Sequence, residues 1–232
     1  MSGQVVAGGN GKGNGSNQLD RPTDVVVDNK GGFLIICDKG NRRVVRWPRR
    51  DGIVGETIIA NIDCYGLTMD DARFLYVSDE RMGQVKKWSV ERDTRTMEGI
   101  LVAGSNRPGA ELSQLHNPTF IFVDRAGLVY VSDTGNRRVM KWAQIDGIGS
   151  LVGGDQDPKF CPAGVVVDSL DTVYVADSGN DRVLRWPNAT SQGSDETNQL
   201  KCPKGLAFDR DGYLYVADSE NNRVRRFNID PN

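Results

Sequence analysis

The sequence holds a single histidine, His116, and four cysteines, Cys37, Cys64, Cys161 and Cys202, none of them in C-x-x-C spacing. A His-rich zinc site is thereby excluded, only one histidine-dependent base is available, and neither a zinc cluster nor a redox pair is indicated. Neither sign of charge dominates. Lys and Arg number 29 against 31 Asp and Glu, a net charge of −2, so bulk electrostatics favours neither nucleic acid nor a membrane surface. No apolar run approaches the ~20 residues of a membrane-spanning helix, and the N-terminus lacks the basic and apolar regions of a secretory signal. The chain as it stands reads as soluble and cytoplasmic, as would one from which a signal had been trimmed. Two glycosylation sequons, Asn14-Gly15-Ser16 and Asn188-Ala189-Thr190, matter only if the protein is secreted.

Phosphate-binding loops are missing too. The stretch VVAGGNGKGNGSNQLDRP, residues 5–22, is rich in glycine. A P-loop, however, requires Gly where Val6 stands and Ser or Thr where Gly13 follows Lys12. The dinucleotide fingerprint fails because Asn14, Ser16 and Gln18 fall on its last glycine in the available frames.

What is present is a repeat. CDKGNRRVVRW, SDERMGQVKKW, SDTGNRRVMKW, ADSGNDRVLRW and ADSENNRVRRF recur along the chain, and Asp38, Asp79, Asp133, Asp177 and Asp218 mark their starts. All four tryptophans (Trp47, Trp88, Trp142 and Trp186) close the first four copies, and Phe227 closes the fifth. Upstream of each copy lies PTDVVVD, CYGLTMD, PTFIFVD, PAGVVVD or PKGLAFD. Each unit reads as an apolar strand ending in Asp, a second strand rich in β-branched and aromatic residues, an Asp-x-Gly-Asn turn and a third strand of Val-x-Arg-Trp type. Continuous apolar runs indicate strands covered on both faces. Small sheets stacked around an axis meet that demand, so the expected fold is an all-β propeller of antiparallel blades.

Successive repeat aspartates lie 41, 54, 44 and 41 residues apart, which gives five blades in one domain over residues 1–232. The expected blade cores are 22–47, 64–88, 118–142, 162–186 and 203–227. VVAGG at 5–9 matches LVAGS at 101–105 and LVGG at 151–154, so residues 4–9 are expected to form the outer strand of the last blade and fasten the ring. The polar segment NATSQGSDETNQL at 188–200 predicts a short or absent outer strand in blade four.

The pattern Pro-x-Gly-Val-Val-Val-Asp followed by Val-Tyr-Val-Ala-Asp-Ser-Gly-Asn-x-Arg-Val, read at 162–183, resembles the NHL repeat, and the resemblance spans essentially the whole chain. Blade two departs most, with Cys64 at the proline position and Met82 and Gln84 at the turn Asn and Arg. The resemblance implies a binding platform of the kind found in tripartite-motif ubiquitin ligases, RNA-binding regulators and bacterial receptor kinases. Amidating lyases and calcium-dependent lactonases are relatives of the propeller.

The recurrent pairs Asp38–Arg43, Asp133–Arg138 and Asp177–Arg182 read as scaffold, a carboxylate accepting turn amides with the arginine bridging back. The basic position before each closing aromatic (Arg46, Lys87, Lys141, Arg185, Arg226) suggests RNA, but such stems also pack over strand surfaces. Departures from the repeat carry more information. At the second position after the proline, Gly66, Gly164 and Gly205 are expected to leave space near the channel mouth, where Asp24 and Phe120 fill the same position. Tyr65 and Lys204 stand one residue earlier. Lys39, Arg42, Arg81, Arg137, Asp181 and Glu220 vary in sign among the turns. These ten residues form the expected ligand face. Asp24 is the one carboxylate at an inner-strand start, too few for a calcium site. Cys161 and Cys202 read as small buried thiols.

The expected protein is a monomeric, non-catalytic module that uses no cofactor or metal, has no membrane association, and binds a protein, peptide or glycan. An RNA-binding platform and a metal-dependent, lactonase-like hydrolase at the channel mouth are the alternatives.

Overall fold

The computed structural model describes residues 4–50, 52–91, 98–105, 107–143, 147–154, 157–187, 194–195 and 199–229. Five antiparallel sheets follow one another along the chain as the blades of a β-propeller. The first contains β1 (Pro22–Asp28), β2 (Phe33–Asp38), β3 (Arg43–Pro48) and β4 (Glu56–Ala60). The second contains β5 (Cys64–Met69), β6 (Phe74–Asp79), β7 (Gln84–Ser89) and β8 (Ile100–Gly104). The third contains β9 (Pro118–Val123), β10 (Val129–Asp133), β11 (Arg138–Trp142) and β12 (Ser150–Gly153). The fourth contains β13 (Pro162–Val167), β14 (Val173–Asp177), β15 (Arg182–Trp186) and a two-residue β16 (Ser194–Asp195), the short outer strand expected from its polar sequence. The fifth has β17 (Pro203–Phe208), β18 (Leu214–Asp218) and β19 (Arg223–Phe227). Short 3-10 turns follow β2, β10 and β18. Among the described residues no helix is long and apolar enough to cross a membrane.

Each sheet is a meander, because its strands are joined by turns that the sequence caps from within. After the innermost strand, Asp70, Asp124, Asp168 and Asp209 accept the backbone N–H four residues on, at 2.8–3.0 Å. The Tyr76, Tyr130 and Tyr174 hydroxyls donate to the second oxygen of the first three.

The cores lie between the sheets. Ile35, Val44 and Ile59 pack against Leu67, Leu75 and Trp88 across the first seam. Tyr76 and Val85 meet Ile121 and Trp142 across the second. Tyr130 and Val139 meet Val165 and Trp186 across the third, and Tyr174 and Val183 meet Leu214 and Val216 across the fourth. A disulfide, Cys37–Cys64, joins the end of β2 to the start of β5 across the first seam.

Residues 4–9 do not fasten the ring. They form no strand, Val5 and Val6 are exposed, and the fifth sheet ends at three strands. Apolar packing holds the segment at the first sheet instead. Ala7 and Leu19 pack on Ile36, Val45 and Trp47, and Gln18 Nε2 donates to the Asn10 carbonyl, curling the loop on itself. Among the described residues no apolar cluster joins the fifth sheet to the first. Val44, Val85, Val139 and Val183 are fully buried, whereas Val224, at the same repeat position, is 68% exposed.

Gly66 and Gly164 have a different role from the one expected. A Cβ on Gly66 would lie 2.5 Å from the Thr119 carbonyl oxygen, and one on Gly164 2.5 Å from that of Lys204. They let neighbouring innermost strands approach closely, and Gly164 also lines the channel. Gly205 meets only Ala217, at 3.9 Å, because among the described residues no further sheet packs on it. Gly66→Ala and Gly164→Ala are therefore expected to destabilise by about 1–3 kcal/mol, and Gly205→Ala to leave stability unchanged. Urea unfolding of the three variants checks this.

A candidate ligand-binding face

Register sets the face. Pro22 pairs with Asp38, Cys64 with Asp79, Pro118 with Asp133, Pro162 with Asp177 and Pro203 with Asp218. The start of every innermost strand thus shares one end of its sheet with the Asp-led turn.

Those turns are built alike. Asp38, Asp133, Asp177 and Asp218 are fully buried. One oxygen of each accepts the backbone N–H of Asp20, His116, Cys161 or Lys201, at 2.6–3.0 Å. The other receives the Arg43, Arg138, Arg182 or Arg223 Nε at 2.7–3.1 Å, together with the side chain of Asn41, Asn136, Asn180 or Asn221. This is the scaffold expected from the repeat. Buried charge is tolerated because every partner is supplied. Burial raises the pKa of Asp79, which lacks both the Asn and the Arg, and also of Asp133, which has both.

Around the channel mouth, departures from the repeat gather on the first three sheets. The Tyr65 and Phe120 rings stack edge to face with centroids 5.3 Å apart. Lys39 Nζ sits 4.5 Å from the Tyr65 centroid and also pairs with Glu80 at 2.6 Å. Thr23 Oγ1 donates to the Tyr65 carbonyl at 2.7 Å and fixes that residue. The ammonium, held over one ring of a crossed aromatic pair, fixes the group with little side-chain freedom left to lose.

Below it, a channel of about 390 Å³ runs between the innermost strands, lined in part by Asp24, Thr68, Phe120, Gly164 and Gly205. Asp24 accepts the Leu67 N–H from the second sheet and the Val25 N–H, both at 2.8 Å. Enclosure by the channel walls outweighs those hydrogen bonds and raises its pKa to about 6.

Arg42, Arg137 and Asp181 share the left-handed position at the end of their turns, with φ of 53°, 53° and 60°. Each reaches the next sheet. Arg42 Nε donates to Asp63 at 2.9 Å, Arg137 Nη1 to the Pro158 carbonyl at 2.8 Å, and Asp181 accepts the Cys202 N–H at 2.8 Å. Their sign follows the group opposite, which accounts for the variation. Glu220 pairs with Lys201 at 3.3 Å, both more than half exposed, a contact worth little. Arg81 is exposed and Lys204 half-buried. Among the described residues no hydrogen bond, ion pair or ring contact joins Arg81, Lys204 or Glu220 to the Tyr65–Phe120 group. Sequence reasoning missed Glu80 and Thr23. Glu80 carried a signal, since it stands where the other turns have Lys39, Thr134, Ser178 and Ser219.

Several basic positions are spent on aromatic faces: Arg46 over Phe33 at 4.8 Å, Lys87 over Phe74 at 5.1 Å and Arg226 over Tyr213 at 4.4 Å. Cys161 and Cys202 are half-buried rather than buried, since both lie in the loops entering their innermost strands. A larger hollow, about 790 Å³, opens at the opposite end. Of its five carboxylates, Asp124, Asp168 and Asp209 already cap their own turns, leaving Asp171 and Asp211. Among the described residues no three His, Cys, Asp or Glu side chains are grouped to hold a metal ion.

The NHL repeat family model matches residues 161–186 and 200–227. No curated protein sequence matches the chain. Solved structures share its fold. In a nidogen/laminin complex, 91% of this chain aligns with 77% of the other at 17% identity and a TM-score of 0.74. A catalytically inactive virginiamycin B lyase from Staphylococcus aureus, with quinupristin, aligns over 93% of this chain and 72% of its own at 10% identity and a TM-score of 0.66. A gluconolactonase from Xanthomonas campestris aligns over 86% and 70% at 15% identity and a TM-score of 0.67.

Proposed function

Because the chain is an NHL-repeat β-propeller, we propose that it is a non-catalytic binding module whose turn-bearing face holds a protein, peptide or glycan at the channel mouth. The observation that carries this reading is the Lys39–Tyr65–Phe120 group. Its rings offer flat apolar area and its ammonium offers charge, a combination suited to a sugar face or to an aromatic or acidic peptide side chain. Asp24 adds a hydrogen-bonding floor. Arg42, Arg137 and Asp181 hold the rim in shape, while Arg81, Lys204 and Glu220 line its remaining arc. The protein-bound propeller of the nidogen/laminin complex supports the same use of the fold, and the disulfide supports an oxidising compartment rather than the cytoplasm.

Glycan and peptide arrays probed with purified protein test the reading. Ligands found this way are expected to bind Tyr65→Ala and Phe120→Ala at least tenfold more weakly, with the melting transition still cooperative. Ligands that bind both variants as they bind wild type would move the site elsewhere. A hydrolase draws support only from the channel carboxylate. It would replace this reading if calcium, magnesium or zinc raised the melting temperature of wild type but not of Asp24→Ala.

A further inference from the structure

We infer that Asn14 is an attachment site for an N-linked oligosaccharide. Asn14-Gly15-Ser16 is a complete acceptor triplet, and its place in the fold separates it from a chance match. Around Asn14 the loop is held to the first sheet through main-chain carbonyls. Asn41 Nδ2 donates to the Gly13 oxygen at 2.8 Å, Arg43 Nη1 to that of Asn14 at 3.0 Å, and Arg43 Nη2 to those of Gly15 and Gln18, each at 3.1 Å.

The third sheet repeats this anchor residue for residue. Asn136 donates to the Gly109 carbonyl, and Arg138 to those of Ala110, Glu111 and Gln114. Ala110 therefore occupies the position of Asn14. The turn needs no polar side chain there, so its chemistry does not explain the asparagine. Asn14 and Ser16 are both exposed, and neither side chain has a partner among the described residues.

The second observation is independent of the first. Cys37–Cys64 is a disulfide between sheets, and disulfides form in the oxidising compartments through which secreted chains pass. Asparagine-linked sugars are added along that same route. In the transfer, a bond forms between Asn14 Nδ2 and the anomeric carbon of a polyprenyl-diphosphate-linked oligosaccharide. The glycosyl–phosphate bond breaks, the lipid diphosphate departs with the electron pair, and the amide gives up one proton to a base of the transferase. The folded protein then has only to leave the sugar room, and an exposed side chain on a loop held by its backbone does so. Asn188, in the other sequon, lies outside the described residues.

The test is secretion of the full chain from a eukaryotic host behind an added signal, followed by peptide mapping after peptide-N-glycosidase treatment in heavy-oxygen water. The expected result is a labelled aspartate at position 14 in protein whose Cys37 and Cys64 are bridged. The label should be absent from Ser16→Ala and from Asn14→Gln, and deglycosylated wild type and both variants should melt alike. An unmodified Asn14 in bridged, secreted protein overturns the inference, whether or not Asn188 is occupied. Free thiols at Cys37 and Cys64 remove its second support and overturn it as well.

Discussion

Opening the Cys37–Cys64 bridge is expected to lower the unfolding free energy by about 3–4 kcal/mol. The two cysteines are 27 residues apart, and cross-linking a loop of that length removes this much chain entropy from the unfolded ensemble. For a chain of this size the loss corresponds to a fall of roughly 6–16 °C in melting temperature. The seam keeps Ile35, Val44, Leu67, Leu75 and Trp88 buried without the bond, so the fold should survive in weakened form. Melting of oxidised protein, of reduced protein and of the double variant Cys37→Ala, Cys64→Ala provides the comparison. Coincident melting curves for all three would mean that the bond does not form in solution.

Replacing Asp24 by Asn is expected to stabilise the protein at neutral pH by about 2 kcal/mol. The full displacement of the carboxyl, from 3.8 to about 6, amounts to ~3 kcal/mol, and partial contact with solvent discounts it. The direction follows from which state releases its proton first. Between pH 4 and 6 the unfolded chain has already ionised Asp24 while the folded chain still holds the proton. Stability falls as pH rises through that window and levels off above it. Asn carries no charge to desolvate, and its amide oxygen still accepts the Leu67 N–H. Wild type and variant should have similar stability at pH 4 and diverge by pH 7. Urea unfolding at unit pH steps measures the gap, and a gap that stays constant with pH would place the titration on another group.

The repeat made most of the scaffold readable from sequence. Asp38, Asn41 and Arg43 recur in nearly every unit, and a turn closed by its own side chains needs no knowledge of the neighbouring sheet. What escaped depended on relations between sheets. Cys37 and Cys64 each stand alone in their repeats, and only stacking the end of one second strand on the start of the next innermost strand brings the sulfurs together. Val5 to Gly9 carried the composition of an outer strand, but composition states the kind of strand and not the sheet it joins. Apolar packing of Ala7 and Leu19 decided that. The glycines misled for a related reason. Sequence shows that a side chain is missing at Gly66, and structure shows that the Thr119 backbone occupies the place. The cluster at Tyr65 and Phe120 was legible as two departures from pattern, while its cation and Glu80 needed the fold to bring them together.

Among the described residues no apolar side chain covers the outer flank of the fifth sheet, and in a chain of these 232 residues that flank is expected to open first. A sheet sandwiched on both sides opens only by breaking two seams. Among the described residues the sheet that carries Val224 packs against a partner sheet on one side alone, and its amides are expected to exchange with solvent through a fluctuation that leaves the other four sheets intact. In a chain of repeats coupled only to their neighbours, such an end frays long before the whole melts. Global unfolding and the first loss of structure are therefore separate events in this molecule. A single melting temperature reports the bridged, doubly covered sheets around Trp88 and Trp142 better than it reports Val224 and Phe227.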